Sequence, residues 1–215
     1  MNRTASHPIS LPGHVVVFDY GEVISHSPTE QNRAELLATA GIDPADAEAF
    51  WAAYWAGREA LDEGTVSIVD YWAGIGAAAG RDWPPETVHG LWVIDFSGWL
   101  SINTGTIRVI EDLAAGGTRL ALLSNAGPDF SSFFRNGSFG ALFERTFVSG
   151  ELLLVKPDAA IYRHVLDELG ISAEEMVFID NKAENIAGAA ALGITGHVFT
   201  SPDELRRFLT GLASA

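Results

Sequence analysis

The sequence predicts an α/β fold, a parallel sheet covered by helices on both faces and interrupted by one inserted all-helical domain. Three observations predict it. A short β-branched run, Val15-Val16-Val17-Phe18, ends in Asp19, as a strand buried on both faces ends at a sheet edge. From Gly105 onward, strand and helix patterns alternate between glycine and proline stops. Between these regions, residues 28–103 carry only helical patterns, and all six tryptophans fall there.

Taken in order, Met1–Gly13 is polar and contains proline, and reads as a tail. The first strand follows, and Gly21 lets the chain leave the sheet. The insertion reads as four helices, Glu30–Thr39, Pro44–Arg58, Ser67–Ala79 and Pro85–Leu100, a stretch too long for a loop. Its tryptophans (51, 55, 72, 83, 92 and 99) supply the bulk that a small domain needs for a core. Gly105–Gly117 places Ile107, Ile110, Leu113 and Ala114 at helical spacing. Arg119–Leu123 is a strand running into Ser124-Asn125, and Pro128 opens a helix through Phe134. Thr146–Val148 is a short strand. Pro157 starts a helix that Gly170 ends, and Met176–Ile179 is a strand running into Asp180-Asn181. Ala183–Leu192 is a helix of small residues, His197–Phe199 a last strand, and Ser201-Pro202-Asp203-Glu204 caps a final helix.

Composition excludes several function classes. No stretch reaches the about 18 apolar residues of a membrane span, and the first residues lack the apolar core of a signal peptide. The absence of cysteine removes disulfides, zinc-thiolate sites and thiol nucleophiles, and fits a cytoplasmic protein. A net charge of −15 argues against nucleic acid as a partner. An acidic protein acting on a small anionic substrate needs local positive charge. The six histidines show no metal-ligand spacing, and the sequence leaves open whether the chain is a monomer or a homodimer.

Three predicted strands end in polar residues at one sheet edge: Asp19, Ser124-Asn125 and Asp180-Asn181. Lys156-Pro157-Asp158 opens a helix near the same edge. Singly, each reads as a turn, a helix cap or a surface charge. Together, at the edge where open α/β sheets bind ligands, they fit phosphoryl transfer. A carboxylate on a rigid strand end can attack phosphorus. A divalent cation, for which Mg²⁺ is suited, must then offset the charge of attacker and target, with Asp19 and Asp180 as its carboxylates. Ser124 can donate to a phosphoryl oxygen, and Lys156 adds a point positive charge.

The pieces FDYGEVI (18–24), LLSNA (122–126), VKPD (155–158) and FIDNKAENIAGAAALG (178–193) resemble the four motifs of haloacid dehalogenase-like (HAD) hydrolases, in order. The resemblance implies a Rossmann-like core formed by residues 14–27 and 104–215, with residues 28–103 as a C1-type helical cap that closes over the site. It further implies Asp19 as nucleophile, Ser124 with Asn125 at the phosphate, and Lys156 as the stabilising cation. Mg²⁺ would be held by Asp19, the carbonyl of Gly21, Asp180 and Asn181. Two positions depart from the family pattern. Phosphatases of this family commonly carry an acid two residues after the nucleophile, where this chain has Gly21. An acidic pair is usual where this chain has Asp180-Asn181. A glycine at the first position resembles the glucose-1-phosphate phosphatase-like subgroup, and Glu22 is the nearest side chain that could replace the missing acid. A metal-independent 2-haloacid dehalogenase is the second reading, and a binding or regulatory protein that keeps the fold is the third. Arg33, Arg58 and Arg81 are the only cations of the predicted cap, and the sequence does not rank them.

Overall fold

The computed structural model describes residues 8–214. Five parallel strands form one sheet: β1 (Val15–Phe18), β2 (Arg119–Ser124), β3 (Arg145–Val148), β4 (Met176–Asp180) and β5 (Thr195–Val198). Their order is β3-β2-β1-β4-β5. β1 is therefore central, pairing with β2 on one side and β4 on the other. The chain moves outward through β2 and β3, then returns to place β4 and β5 on the opposite flank. That reversal opens a crevice at the carboxyl ends of β1 and β4, where doubly wound sheets bind ligands.

Alternation along the strands builds two cores. Val16, Phe18, Leu120, Leu122, Val177 and Ile179 face α5 (Thr104–Ala115), α6 (Ser131–Asn136) and α10 (Pro202–Ala213). Val15, Val17, Ala121, Leu123, Met176 and Phe178 face α8 (Ala159–Leu169) and α9 (Ala183–Ala190). Both faces are covered, so the strands read as unbroken apolar runs.

Between β1 and α5 lie four helices: α1 (Glu30–Ala40), α2 (Glu48–Glu63), α3 (Ile68–Ala78) and α4 (Pro85–Gly98). They form a third core around Leu36, Phe50, Tyr54, Trp72, Ile75 and Leu91. Thr29 and Asn32 make a reciprocal capping box that starts α1, and Ser67 caps α3. Gly64 ends α2 in the left-handed conformation. The two segments that join this unit to the sheet run side by side. Ser25 and Ile102 form an antiparallel bridge, flanked by His26 N–H to the Ser101 carbonyl (2.7 Å) and Asn103 N–H to the Ile24 carbonyl (2.8 Å).

Three local expectations change. The helix expected over Pro44–Arg58 is a 3-10 turn at Pro44–Asp46 followed by α2, which runs to Glu63 because Glu59-Ala60-Leu61-Asp62 are all helix-compatible. A one-turn helix, α7 (Ser149–Leu152), follows β3. The polar tail is polar only in part. Residues 1–7 lie outside the described residues, but Ile9 and Leu11 are buried in the core. Ile9 N–H donates to the Asp112 carbonyl (3.0 Å), and the Thr118 hydroxyl joins Ile9 to Leu11. Alternating apolar residues gave this segment a buried side that its average polarity concealed. No helix among the described residues is long and apolar enough to cross a membrane.

This docking depends on Gly116, where a Cβ would stand 2.1 Å from the Ile9 carbonyl oxygen. Gly116→Ala is expected to expel residues 8–12 from the surface of α5. Hydrogen exchange checks this: the Ile9 and Leu11 amides lose protection while β1 and β4 keep theirs.

Candidate active site

Asp19 follows β1, Ser124 ends β2 and Asp180 ends β4, on three adjacent strands. The ladder continues one residue past β1, since Asp19 N–H donates to the Ile179 carbonyl at 2.8 Å. The Asp19 backbone is thus part of the sheet, and its carboxylate is aimed from the end of the central strand.

Lys156 arrives from the segment between α7 and α8, and its side chain is 1% exposed. Its Nζ donates to Asp19 Oδ1 (2.7 Å), Asp180 Oδ2 (2.7 Å) and the Leu123 carbonyl (3.1 Å). An ammonium has three N–H groups, and all three are engaged. Burial alone would lower the Lys156 pKa, but Asp19 and Asp180 outweigh it and hold the ammonium above the usual lysine range. Burial pushes Asp19 up to about 6, opposed by Lys156 and aided by Asp180. Asp180 is fully buried and held on every side. Its Oδ1 accepts Lys182 N–H (2.8 Å), and its Oδ2 accepts Asn185 Nδ2 (2.9 Å) as well as Lys156.

Asn125 has a task in the structure besides the one expected at the phosphate. Its Nδ2 donates to the Lys156 carbonyl and its Oδ1 accepts Lys156 N–H, both at 2.9 Å. Both polar atoms clamp the Lys156 backbone, so Asn125 positions the lysine, and the second hydrogen of its Nδ2 is left over from that clamp. Ser124 is buried beside Asp19 at the end of β2.

Gly21 lies against Asp19. A Cβ there would stand 3.9 Å from Asp19 Oδ2 and 3.9 Å from the Trp99 ring, so the position is open and simply carries no acid. Glu22 adopts a left-handed backbone (φ 59°), uncommon for a residue with a side chain. Its Oε2 accepts Asn181 Nδ2 at 2.6 Å, and its Oε1 accepts the Ser27 hydroxyl. Among the described residues, no three histidine, aspartate or glutamate side chains form a metal-binding cluster. The donor set at the strand ends is all hard oxygen: two carboxylates, a backbone carbonyl and an amide. Mg²⁺ typically takes one or two protein carboxylates and completes its shell with other oxygens, so these residues fit it.

Above the edge, a cavity of about 120 Å³ is lined by Glu22 and Arg33, with Leu36, Trp51, Tyr54, Trp55 and Trp99 among its walls. A larger apolar cavity, about 620 Å³, lies between α3 and α4. The strand-end residues line neither cavity, but the smaller one adjoins the site through Glu22 and through Trp99, whose ring packs on Gly21 beside Asp19. The three cap arginines are now distinguished. Arg81 donates to the Gly41 carbonyl (2.7 Å) within the cap, and Arg33 lines the small cavity. Arg58 is half-buried, with its guanidinium over the Tyr54 ring (5.7 Å) and the Trp99 ring (6.0 Å). It donates to Asp62 Oδ1 (3.1 Å) through Nε, and to Asp95 Oδ2 (2.9 Å) and the Tyr54 hydroxyl (3.0 Å) through Nη1. Asn185, Asp62, Arg58 and Trp99 were not singled out as site residues by sequence motifs. Asn185 was findable from its place five residues after Asp180, on the first turn of a helix. The cap residues carry no local signal.

The family model for haloacid dehalogenase-like hydrolases matches residues 9–193. The chain belongs to this family. Over 107 residues, 49% of the chain and 20% of the relative, it is 32% identical to the drimenol cyclase drtB of Aspergillus calidoustus. Over 101 residues it is 31% identical to the sesquiterpene phosphatase astK of Aspergillus oryzae, covering 46% of the chain and 52% of the relative. It is 25% identical over 95 residues to the (S)-2-haloacid dehalogenase 4A of Burkholderia cepacia, covering 44% and 41%. The matched region thus spans no more than about half the length of these relatives. The HAD-hydrolase YfnB from Bacillus subtilis, solved with magnesium, has the same fold at a TM-score of 0.72 and 14% identity, covering 91% of this chain and 98% of that one. A HAD family enzyme from Bacteroides thetaiotaomicron, solved with magnesium and inorganic phosphate, superposes at 0.68 with 19% identity, covering 87% and 94%.

Removing the central cation should expose the repulsion it masks. Lys156→Met is expected to destabilise the fold by about 3–5 kcal/mol at pH 8, because two buried carboxylates lose their partner. Without the ammonium, Asp19, already pushed up by burial, loses the partner that holds its pKa down. The deficit therefore shrinks as pH falls and Asp19 takes up a proton. Urea denaturation at pH 5 and pH 8 checks this, and an equal loss at both values contradicts it.

Proposed function

We propose that this HAD-like hydrolase is a phosphatase that cleaves phosphate monoesters of apolar alcohols through a covalent phosphate on Asp19. The observation that carries the reading is the buried bridge Asp19–Lys156–Asp180. Two carboxylates against one ammonium leave the site negative where an anionic phosphoryl group must approach. Such a site calls for one more cation. Mg²⁺ held by Asp19, Asp180, the Gly21 carbonyl and Asn181 would supply it, lowering the repulsion between carboxylate and phosphoryl oxygens.

The remaining work falls to the chain. Asp19 attacks phosphorus from a strand end that the sheet holds rigid, which supports the in-line geometry that displacement requires. Ser124 donates its hydroxyl to a phosphoryl oxygen. Lys156 keeps Asp19 charged and oriented, and Asn125 keeps Lys156 in place. The aromatic walls of the cavity accept the organic part of the ester and exclude water when the cap is closed. The names of two relatives, a sesquiterpene phosphatase and a drimenol cyclase, support an apolar substrate class.

A second reading, a 2-haloacid dehalogenase, is favoured by Gly21 and by a relative of that name. Halide leaves as an anion, so attack of Asp19 on carbon needs no proton donor. One assay separates the two. Phosphate release is measured from isoprenyl, sugar and amino-acid phosphates, with Mg²⁺ or with chelator, for wild type and Asp19→Asn. Release from isoprenyl phosphates that needs Mg²⁺ and falls to background in Asp19→Asn is expected. Halide release from 2-chloropropionate in chelator, without phosphate release, would reverse the assignment.

A further inference from the structure

We propose that Asp62, carried in by the cap, is the general acid that protonates the leaving alcohol, in place of the side chain that Gly21 lacks. This assignment rests on the phosphatase reading above. Asp62 lies on the last turn of α2, and its neighbours place it over the crevice. The carbonyl of Leu61 is 3.7 Å from where a Cβ on Gly127 would stand, beyond the end of β2. The carbonyl of Asp62 accepts the Ser149 hydroxyl, beyond the end of β3. These contacts seat Asp62 on the β2–β3 side of the crevice in which Asp19 stands, and its carboxylate is near enough to Lys182, beyond the end of β4, to feel that charge. A second path leads to the same place. Arg58 holds Asp62 and lies over Trp99, whose ring packs on Gly21 beside Asp19 Oδ2.

The surroundings equip Asp62 to carry a proton. Asp62 and Asp95 share the single guanidinium of Arg58, and Tyr54 brings no charge, so this partly buried cluster is negative unless one carboxyl is protonated. Burial pushes Asp62 up to about 6, with Arg58 and Lys182 opposing and Asp95 adding to the rise. An acid poised there delivers and recovers a proton near neutrality.

The steps balance. Asp19 Oδ2 forms a bond to phosphorus as the bond from phosphorus to the ester oxygen breaks. The electron pair stays on that oxygen, which takes the Asp62 proton and leaves as a neutral alcohol. Asp62, now a carboxylate, then takes a proton from the water whose oxygen attacks phosphorus. The bond from phosphorus to Asp19 breaks, inorganic phosphate leaves, and both aspartates return to their starting states. Because the acid rides on the cap, the leaving group is protonated only when the cap is closed.

The test is first-turnover alcohol release by wild type and Asp62→Asn, from an isoprenyl phosphate and from 4-nitrophenyl phosphate. A poor leaving group needs the acid and nitrophenolate does not. The variant is expected to lose roughly 100-fold or more with the isoprenyl ester, and to keep its 4-nitrophenol burst, which also shows that it folds. The wild-type rate with the isoprenyl ester falls as pH rises above about 6, and that fall is absent in the variant. Asp95→Asn, which removes a charge that helps keep Asp62 protonated, lowers the isoprenyl rate more than the 4-nitrophenyl rate and moves the fall with pH to lower pH. Equal losses with the two esters in Asp62→Asn, or no loss, would overturn the assignment. If wild type releases neither alcohol, the phosphatase reading fails first and takes this assignment with it.

Discussion

Two carboxylates stand on neighbouring strands at the centre of a sheet edge, and only the ammonium of Lys156 makes that arrangement stable. Removing water from two like charges is costly, and breaking such a set by losing one partner is worse than never having built it. Much of the core follows from meeting this condition. Lys156 must be held at one height, so Asn125 grips its backbone from both sides. Asp180 must be satisfied without water, so it takes a main-chain N–H and the Asn185 amide besides the lysine. Asp19 shares in the sheet's own hydrogen bonding and keeps some access to the crevice. The result is one reactive oxygen in a site where every other charged atom is immobilised.

The two departures from the family pattern make better sense together with Glu22 than singly. Glu22 holds a strained left-handed backbone and turns its carboxylate onto Asn181. An aspartate at 181 would set two carboxylates within hydrogen-bonding distance, each repelling the other. The amide removes that repulsion and adds a donor. Two acids of the family pattern are thus absent at this corner and one, Glu22, stands in a new position against Asn181.

Most of the core was legible in the sequence because each strand announces itself twice, by an apolar run and by the polar residue that ends it. Asp19, Ser124 and Asp180 could be placed on one edge before any geometry was known. The less legible parts share one cause. Asn125 and Ser124 are adjacent and both polar, and only three-dimensional pairing with Lys156 tells their tasks apart. Ile9 and Leu11 sit in a segment whose average is polar, and their burial depends on Thr118 and Gly116, about a hundred residues away in a chain where contact need not follow sequence order. α2 was cut short at Arg58, and Asp62 lies on the turn that was left out. No spacing rule reaches from α2 to α7, because that contact is made by the packing of one unit on another.

The antiparallel pairing of the two segments that lead into and out of the helical unit bears on how the chain folds. β1 must find β2 across the whole insertion, since Val15 pairs with Arg119. Closing so long a loop costs entropy that grows with the logarithm of its length. Once the inserted helices have folded locally and Ser25 has met Ile102, the path left between Val15 and Arg119 is about a quarter as long, and much of it is the helix α5. Assembly from the inside outward is therefore the route with the smaller entropic barrier, and a slow step elsewhere need not delay it. The same short crossing lets the helical unit be exchanged for another of different shape without altering the sheet's folding order.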